Sequence, residues 1–393
     1  MSKNHQALYA LLIECCRHES DDHKLEYLAG QISDWAGFLE SSYAHGVYAL
    51  VAKSLKSIHA VPDPIKSVLK ITNLDIARRN MTMTAELLRI MKLLEDSGIS
   101  ALAIKGPVLS QMIYGDITQR QFADLDILVD ENDLYHAGKV LDENGYYFEQ
   151  PLKYLKNKTL LKIEKDITFS NEQQNIYIEI HWRLFAGKLF AKSNIDLFQE
   201  NPVMVRVNHQ NIATLDDSIY ILYLLLHGSK HLWNRLEWIV DIDRLVRTKS
   251  AIDWELIRKS AQVMEIEPMI YLGTMMCHRI FETPFPLGMI EAAQHYPNIS
   301  NASDKLMDRF YQNSIHKVYQ AMSNSYYLGI EESHYKKNPF FRLTPLDIYT
   351  LDLPHWLSPL YYLILIGRKI PIQIGLFWDR MNTSQTPQEN NNG

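Results

Sequence analysis

The stretch Phe122-Ala-Asp-Leu-Asp-Ile-Leu-Val129 decides how this chain is read. Asp124 and Asp126 stand two apart at the head of an apolar run with strand character. In a strand, residues i and i+2 project to the same side, so both carboxylates leave one face of a sheet together. Two carboxylates held side by side repel each other and are costly to bury unless a proton or cation lies between them. A divalent metal meets that need, and an all-oxygen set favours Mg²⁺ or Mn²⁺. A strand-end turn with two solvated aspartates has the same sequence, so the neighbouring segments decide between the two.

Two such segments stand out. Upstream, the apolar run Ser100-Ala-Leu-Ala-Ile104 leads into Lys105-Gly106-Pro107. A glycine at a strand-to-helix turn lets backbone N–H groups approach a phosphate, and the helix N-terminus adds positive potential. Lys105 adds a point charge there; a plain turn would read the same way. Downstream lies Ile176-Tyr-Ile-Glu-Ile-His-Trp-Arg183. Strand parity puts Ile178, Ile180 and Trp182 on one face, which is core, and Tyr177, Glu179, His181 and Arg183 on the other. That second face is either a site or the solvent side of an edge strand.

Around these segments the periodicity changes twice. Residues 5 to about 95 repeat apolar side chains at helical spacing, with Pro62-Asp-Pro64 as a break and a long helix from Asp63 to Leu94 closed by Ser97-Gly98. Helices are expected at 108–114 and 131–144, and strands at 100–104, 124–129, 146–148, 163–169 and 176–182. From Ser218 helices return: 219–232, 235–246, 254–263, 268–281 and 303–328. The fold class is therefore α+β, a small α/β sheet domain (98–215) flanked by helical regions (1–97 and 216–381). Residues 382–393 are polar and read as a disordered tail.

Composition sets the outer limits. The chain has 393 residues, of which 47% are hydrophobic and 22% charged, as in ordinary globular proteins. A net charge of -6 carries no electrostatic footprint for a polyanion, so DNA binding is not expected. Cys15, Cys16 and Cys277 form neither a disulfide framework nor a metal-spaced pair. With no secretory signal visible and no uninterrupted apolar run of the ~20 residues a spanning helix needs, the expectation is a cytoplasmic protein without a transmembrane segment.

The combination Lys105-Gly106, Arg120, Asp124-Leu-Asp126-Ile-Leu-Val129 and Glu179-Ile-His-Trp-Arg-Leu184 resembles the polymerase-beta-like nucleotidyltransferase superfamily, and more closely a bacterial nucleotidyltransferase group within it. The resemblance runs from Trp35 and Ala44-His-Gly46 to Leu226-His-Gly-Ser-Lys-His-Leu-Trp233, Arg235-Leu236 and Trp238-Ile-Val-Asp-Ile-Asp243. It implies a polymerase-beta-like domain in which Asp124, Asp126 and Glu179 are catalytic and hold two divalent ions. An NMP, with AMP the first candidate, would pass from an NTP to a hydroxyl of a small molecule, protein or RNA end, with pyrophosphate leaving. Lys105, Gly106, Arg120, His181, Arg183, His227 and His231 would then bind the nucleotide. The superfamily usually carries Gly-Ser at the phosphate turn, where this chain has Lys-Gly with Ser110 one helical turn further on. That departure motivates a second reading, a non-catalytic nucleotide- or partner-binding relative of antitoxin type.

Three features stay open on sequence alone. His227 and His231 are i, i+4 on a helix and share a face. That face closes over the nucleotide, packs at a domain interface, or holds zinc with Asp241 or Asp243. Arg120 reaches a phosphate or pairs with one of the aspartates. The apolar segment 354–380, with Arg368-Lys369 inside it, packs on the body or lies along a membrane surface. A membrane-peripheral interaction protein is the third functional class this leaves.

Overall fold

Strand pairing in the computed structural model places the Asp124–Val129 strand inside a four-stranded mixed sheet. Residues 3–184, 202–311, 343–351 and 353–369 are described. The strands are β1 (Ala101–Ile104), β2 (Asp124–Val129), β3 (Asp166–Asn171) and β4 (Ile176–His181), in the order β1-β2-β4-β3. β2 runs antiparallel to β1 and parallel to β4, and β3 and β4 form an antiparallel pair. The β2–β4 register sets Asp126 beside Glu179, and Asp126 faces Ile104 across β1.

Five helices precede the sheet: α1 (Lys3–Cys16), α2 (Asp22–Ala29), α3 (Trp35–Ala44), α4 (Tyr48–Ser54) and α5 (Asp63–Asp96). The long helix α5 carries Pro64 in its first turn, where the missing N–H is harmless. It stops at Ser97, after which Gly98 takes φ 72°. The sheet separates two cores. Leu125, Ile127, Val129, Ile167, Phe169, Ile178, Ile180 and Trp182 pack with Leu87, Ile90 and Met91 of α5 and Leu134, Ala137 and Leu141 of α7 (Leu134–Glu143). Leu102, Ile104 and Leu128 belong to the second core, built mostly from the helices before and after the sheet.

Those later helices are α9 (Asp217–Lys230), α10 (Leu236–Thr248), α11 (Trp254–Met264), α12 (Glu267–Phe281), α13 (Leu287–His295) and α14 (Ile299–Tyr311). Asp216 caps α9, its carboxylate accepting from the N–H groups of Ser218 and Ile219. Trp233 is buried under α9: an added Cβ on Gly228 would lie 2.3 Å from its ring, and one on Gly273 of α12 would lie 2.6 Å away. The spacing His-Gly-Ser-Lys-His-Leu-Trp therefore serves packing at Gly228 while it sets out two histidines.

Several boundaries differ from expectation. Residues 146–148 form no strand; Tyr147 makes an isolated bridge to Ser170. Residues 158–163 belong to the short helix α8 (Lys158–Ile163), and β3 begins only at Asp166. A hairpin went unanticipated: β5 (Val203–Val207) and β6 (Gln210–Thr214) pair around Asn208 and His209, whose φ values of 43° and 70° suit a tight two-residue turn. Thr214 Oγ1 donates to the Ala103 carbonyl at 2.6 Å and ties this hairpin to β1. The expected helix 303–328 is described only to Tyr311, and the 382–393 tail lies outside the described residues. Within 354–380, His355–Leu360 is a 3-10 helix and 361–369 is helical. Tyr361 and Ile348 pack on Tyr154 and Leu160, so this part of the segment lies against the body, although Trp356 and Leu363 are exposed. Among the described residues no helix is long and apolar enough to cross a membrane. All three cysteines are free and buried.

Candidate active site

β-strand parity delivers the acids as a set. Leu125 and Ile127 are buried in the sheet core, and Asp124 and Asp126 leave the opposite face. On β4, Ile178 and Ile180 are fully buried while Tyr177 is exposed and Glu179 is a third exposed. His181 ends that strand on the same face as Glu179. Its Nε2 lies 3.0 Å from Asp126 Oδ1 and 3.4 Å from Glu179 Oε2. Potential ligand atoms of Asp126, Glu179 and His181 all lie within 4.8 Å of one another, the one such group of three among the described residues. The two carboxylates suit a divalent cation, and the imidazole is a nitrogen donor beside them. Asp124 stands outside that triad, two residues before Asp126 on the same strand face.

The charges explain why these groups coexist. Burial alone would raise the Asp126 carboxyl; the Lys105 ammonium and the His181 ring override it and hold the group below the usual carboxylate range. Glu179 is lowered first by its hydrogen bond from His181, against burial. Asp124 goes the other way, raised by burial and then by the charge of Asp126. The pair therefore splits into one firmly ionised acid and one that binds a proton more readily.

Lys105 is the N-cap of α6 (Gly106–Tyr114), and the turn is tight: Lys105 has φ 60° and ψ −149°, and Gly106 follows with φ 48°. The Lys105 N–H donates to the buried Tyr220 hydroxyl of α9. Its Nζ lies 2.9 Å from Asp126 Oδ1 and 5.7 Å from the centre of the Tyr223 ring. Burial disfavours that charge, yet the neighbouring Asp126 carboxylate lifts the ammonium well above its ordinary value. Ser110 does not face the turn; its hydroxyl is buried and donates to the Asp116 carbonyl at 2.7 Å.

Helix α9 supplies the wall above. His227 and His231 are 4.7 Å apart, ring centre to ring centre, and both touch the Trp238 ring. Burial, then Lys105, pushes His227 well below the ordinary imidazole value, and burial with Lys230 brings His231 to about 4. Both rings are neutral at pH 7 and so available as hydrogen-bond partners. Neither joins a group of three potential ligands among the described residues. The two aspartates that a zinc site would recruit are engaged elsewhere: Asp241 with Arg120, and Asp243 with Arg247 and Thr283.

Arg120 takes a different place from the one expected. In place of a phosphate contact, its guanidinium grips Asp241 of α10, with Nε 3.1 Å from both carboxylate oxygens and Nη2 3.0 Å from Oδ2. Both partners are buried, and Arg120 Nη1 also donates to the Gln121 carbonyl. The ion pair fixes the loop that enters β2, four residues before Asp124. Arg183 pairs with Glu131 at 2.6 Å, which ties the end of β4 to the loop after β2. His45 performs a similar tie, its Nδ1 accepting from the Leu236 N–H and its carbonyl from the Glu237 N–H. Gly46 follows at φ 72°, where a Cβ would collide with Glu237 Oε2 at 1.9 Å.

One cation beside the acids belongs to no motif. Lys165 sits between α8 and β3, its carbonyl accepting from the Trp182 N–H at 3.0 Å and its ammonium paired with Asp166. Burial first, then Lys230 and Lys105, lower its pKa to about 8. Lys165 thus feels the charges of both Lys105 and Lys230, while its own ammonium is taken by Asp166.

No curated protein matches the chain. A family model described as an uncharacterised nucleotidyltransferase matches residues 31–282, which takes in α3 to α5, the sheet with its acids, and α9 to α12. On that match, over more than half of its length, the chain belongs to this nucleotidyltransferase family.

Proposed function

We propose that this nucleotidyltransferase moves an NMP, AMP being the first candidate, from an NTP to a hydroxyl of an acceptor in a reaction that needs Mg²⁺ or Mn²⁺. The observation that carries the reading is the meeting of Asp126, Glu179 and His181 within 4.8 Å, beside Asp124, in a chain of this family. Asp124, Asp126 and Glu179 are the residues that would hold the metal. When bound, such an ion supplies charge neutralisation at the transferring phosphoryl group. The protein supplies position: the Lys105-Gly106 turn at the N-terminus of α6 receives phosphate oxygens, and His181 holds Asp126 and Glu179 in register. Glu179, a third exposed and facing the open side, takes the proton from the acceptor hydroxyl. Arg183, His227 and His231 line the nucleotide. The α-phosphorus is attacked in line, its bond to the acceptor oxygen forming as the bond to pyrophosphate breaks.

The test is release of pyrophosphate and transfer of label from α-labelled NTPs into a pool of cell-derived acceptors. Wild-type chain should label an acceptor only with Mg²⁺ or Mn²⁺ present, and Glu179→Gln should lower the rate at least ~100-fold, the usual weight of a general base. Labelling that survives in Glu179→Gln would reject the assigned role. The non-catalytic, partner-binding reading draws on Ser110, whose hydroxyl is tied to Asp116 and not presented at the turn. It expects no label transfer with any NTP and metal-independent capture of a partner protein that tolerates substitution of all three carboxylates.

A further inference from the structure

Asp126 already has a cation on it, and that cation is a side chain. Lys105 Nζ and His181 Nε2 both contact Oδ1, at 2.9 and 3.0 Å. The Lys105 side chain is 14% exposed and that of Asp126 2%, so little water competes for this contact. The backbone is bent to make it. A φ of 60° with ψ −149° lies in a region occupied almost only by glycine, and a β-carbon there is strained. Strain at a lysine persists only where the surroundings over-determine it. Here the Tyr220 hydroxyl holds the N–H, and Tyr223 lies under the ammonium.

An aspartate shared by two metal ions must offer an oxygen to each. With Oδ1 engaged by Lys105 and His181, Asp126 has one oxygen left to give. Resting on the transferase reading above, we infer that Lys105 is a tethered cation standing in for one of two metal ions, so that this site takes a single divalent ion. The ammonium supplies one fixed positive charge at the transferring phosphate, and the bound ion supplies the rest from the side of Glu179. Lys105 is then a catalytic residue by contact with that phosphate, and its replacement changes the metal count as well as the rate.

The experiment counts Mn²⁺ on the full-length chain by loss of the free-ion electron paramagnetic resonance signal, without nucleotide. Wild type should bind one ion per chain with a Hill coefficient near one. Lys105→Gly, which suits the backbone, and Lys105→Met, which keeps the stem, should each bind two, with far-UV circular dichroism reporting the fold. Two ions on wild type, or one ion on both folded variants, would overturn the inference while leaving the transferase reading intact. No Mn²⁺ on any of the three proteins would remove both the inference and the reading beneath it.

Discussion

Replacing Arg120 by methionine tests whether the residue before the aspartates serves the fold or the nucleotide. Arg120 and Asp241 have side-chain exposures of 7% and 1% and share three N–H···O contacts of 3.0–3.1 Å. Removing one member of such a pair leaves a buried charge without a partner, which destabilises by ~3–5 kcal/mol. Total stabilities of about 5–15 kcal/mol make that loss large. The double variant Arg120→Met/Asp241→Leu removes both charges and should lose much less, because two buried ions are exchanged for apolar side chains. The pH dependence has a definite sign. Burial already raises the Asp241 carboxyl while Arg120 is present, and without Arg120 it rises further above its unfolded value. The acid is then at ease below the unfolded pKa of ~3.9 and increasingly unfavourable as pH climbs toward the folded value. The Arg120→Met deficit should therefore be smaller at pH 5 than at pH 8. Equilibrium urea unfolding at both pH values measures all of this. A loss below ~1 kcal/mol in Arg120→Met, together with weakened NTP binding, would return Arg120 to the nucleotide and refute the structural role.

Three further predictions rest on single contacts. Gly228→Ala puts a Cβ 2.3 Å from the Trp233 ring and should cost about 1–3 kcal/mol by overpacking, read by urea unfolding with Trp233 fluorescence as a second probe. Tyr220→Phe removes the acceptor of the Lys105 N–H and should cost ~1–3 kcal/mol for the orphaned donor; an unchanged melting temperature would mean that the turn does not depend on α9. His45 is buried and held neutral, its pKa brought to about 4 by burial and by Arg235. The unfolded chain binds that proton below ~6.5, so stability present above pH 6.5 should fall by a few kcal/mol as pH drops toward 4, and His45→Gln should flatten this slope in pH-dependent melts.

The active strands were legible because period two is a strong signal when one face is purely apolar. Ile178, Ile180 and Trp182 announced the core side of the strand, which left Glu179 and His181 on a face that was either a site or the solvent side, and only the family resemblance gave them roles. Parallel pairing with β2 then brought Asp126 next to Glu179, a step that sequence could state only through family resemblance. Other features were hidden for physical reasons. Arg120 and Asp241 are 121 residues apart, and nothing local distinguishes a buried ion pair from a phosphate contact. The β5–β6 hairpin turns at Asn208-His209, with positive φ at both residues but no glycine to flag it. Lys165 sits outside every motif, brought to the carboxylates by a backbone hydrogen bond from Trp182. Tyr146–Phe148 looked like a strand because aromatic residues favour one, yet Tyr146 and Phe148 point into the core from a segment that pairs at a single bridge.

The measurement closest to the central claim is a thermal-shift scan of the full-length chain with each NTP, with and without Mg²⁺ or Mn²⁺, on wild type and on Asp124→Asn/Asp126→Asn. A ligand at 100 times its dissociation constant stabilises by about 2.7 kcal/mol, a shift of a few degrees. The account predicts stabilisation by at least one NTP that requires the metal and disappears in the double variant, whose far-UV spectrum stays that of wild type. Stabilisation by NTP that is indifferent to metal and persists in the folded double variant would contradict a metal-dependent site built on Asp124 and Asp126.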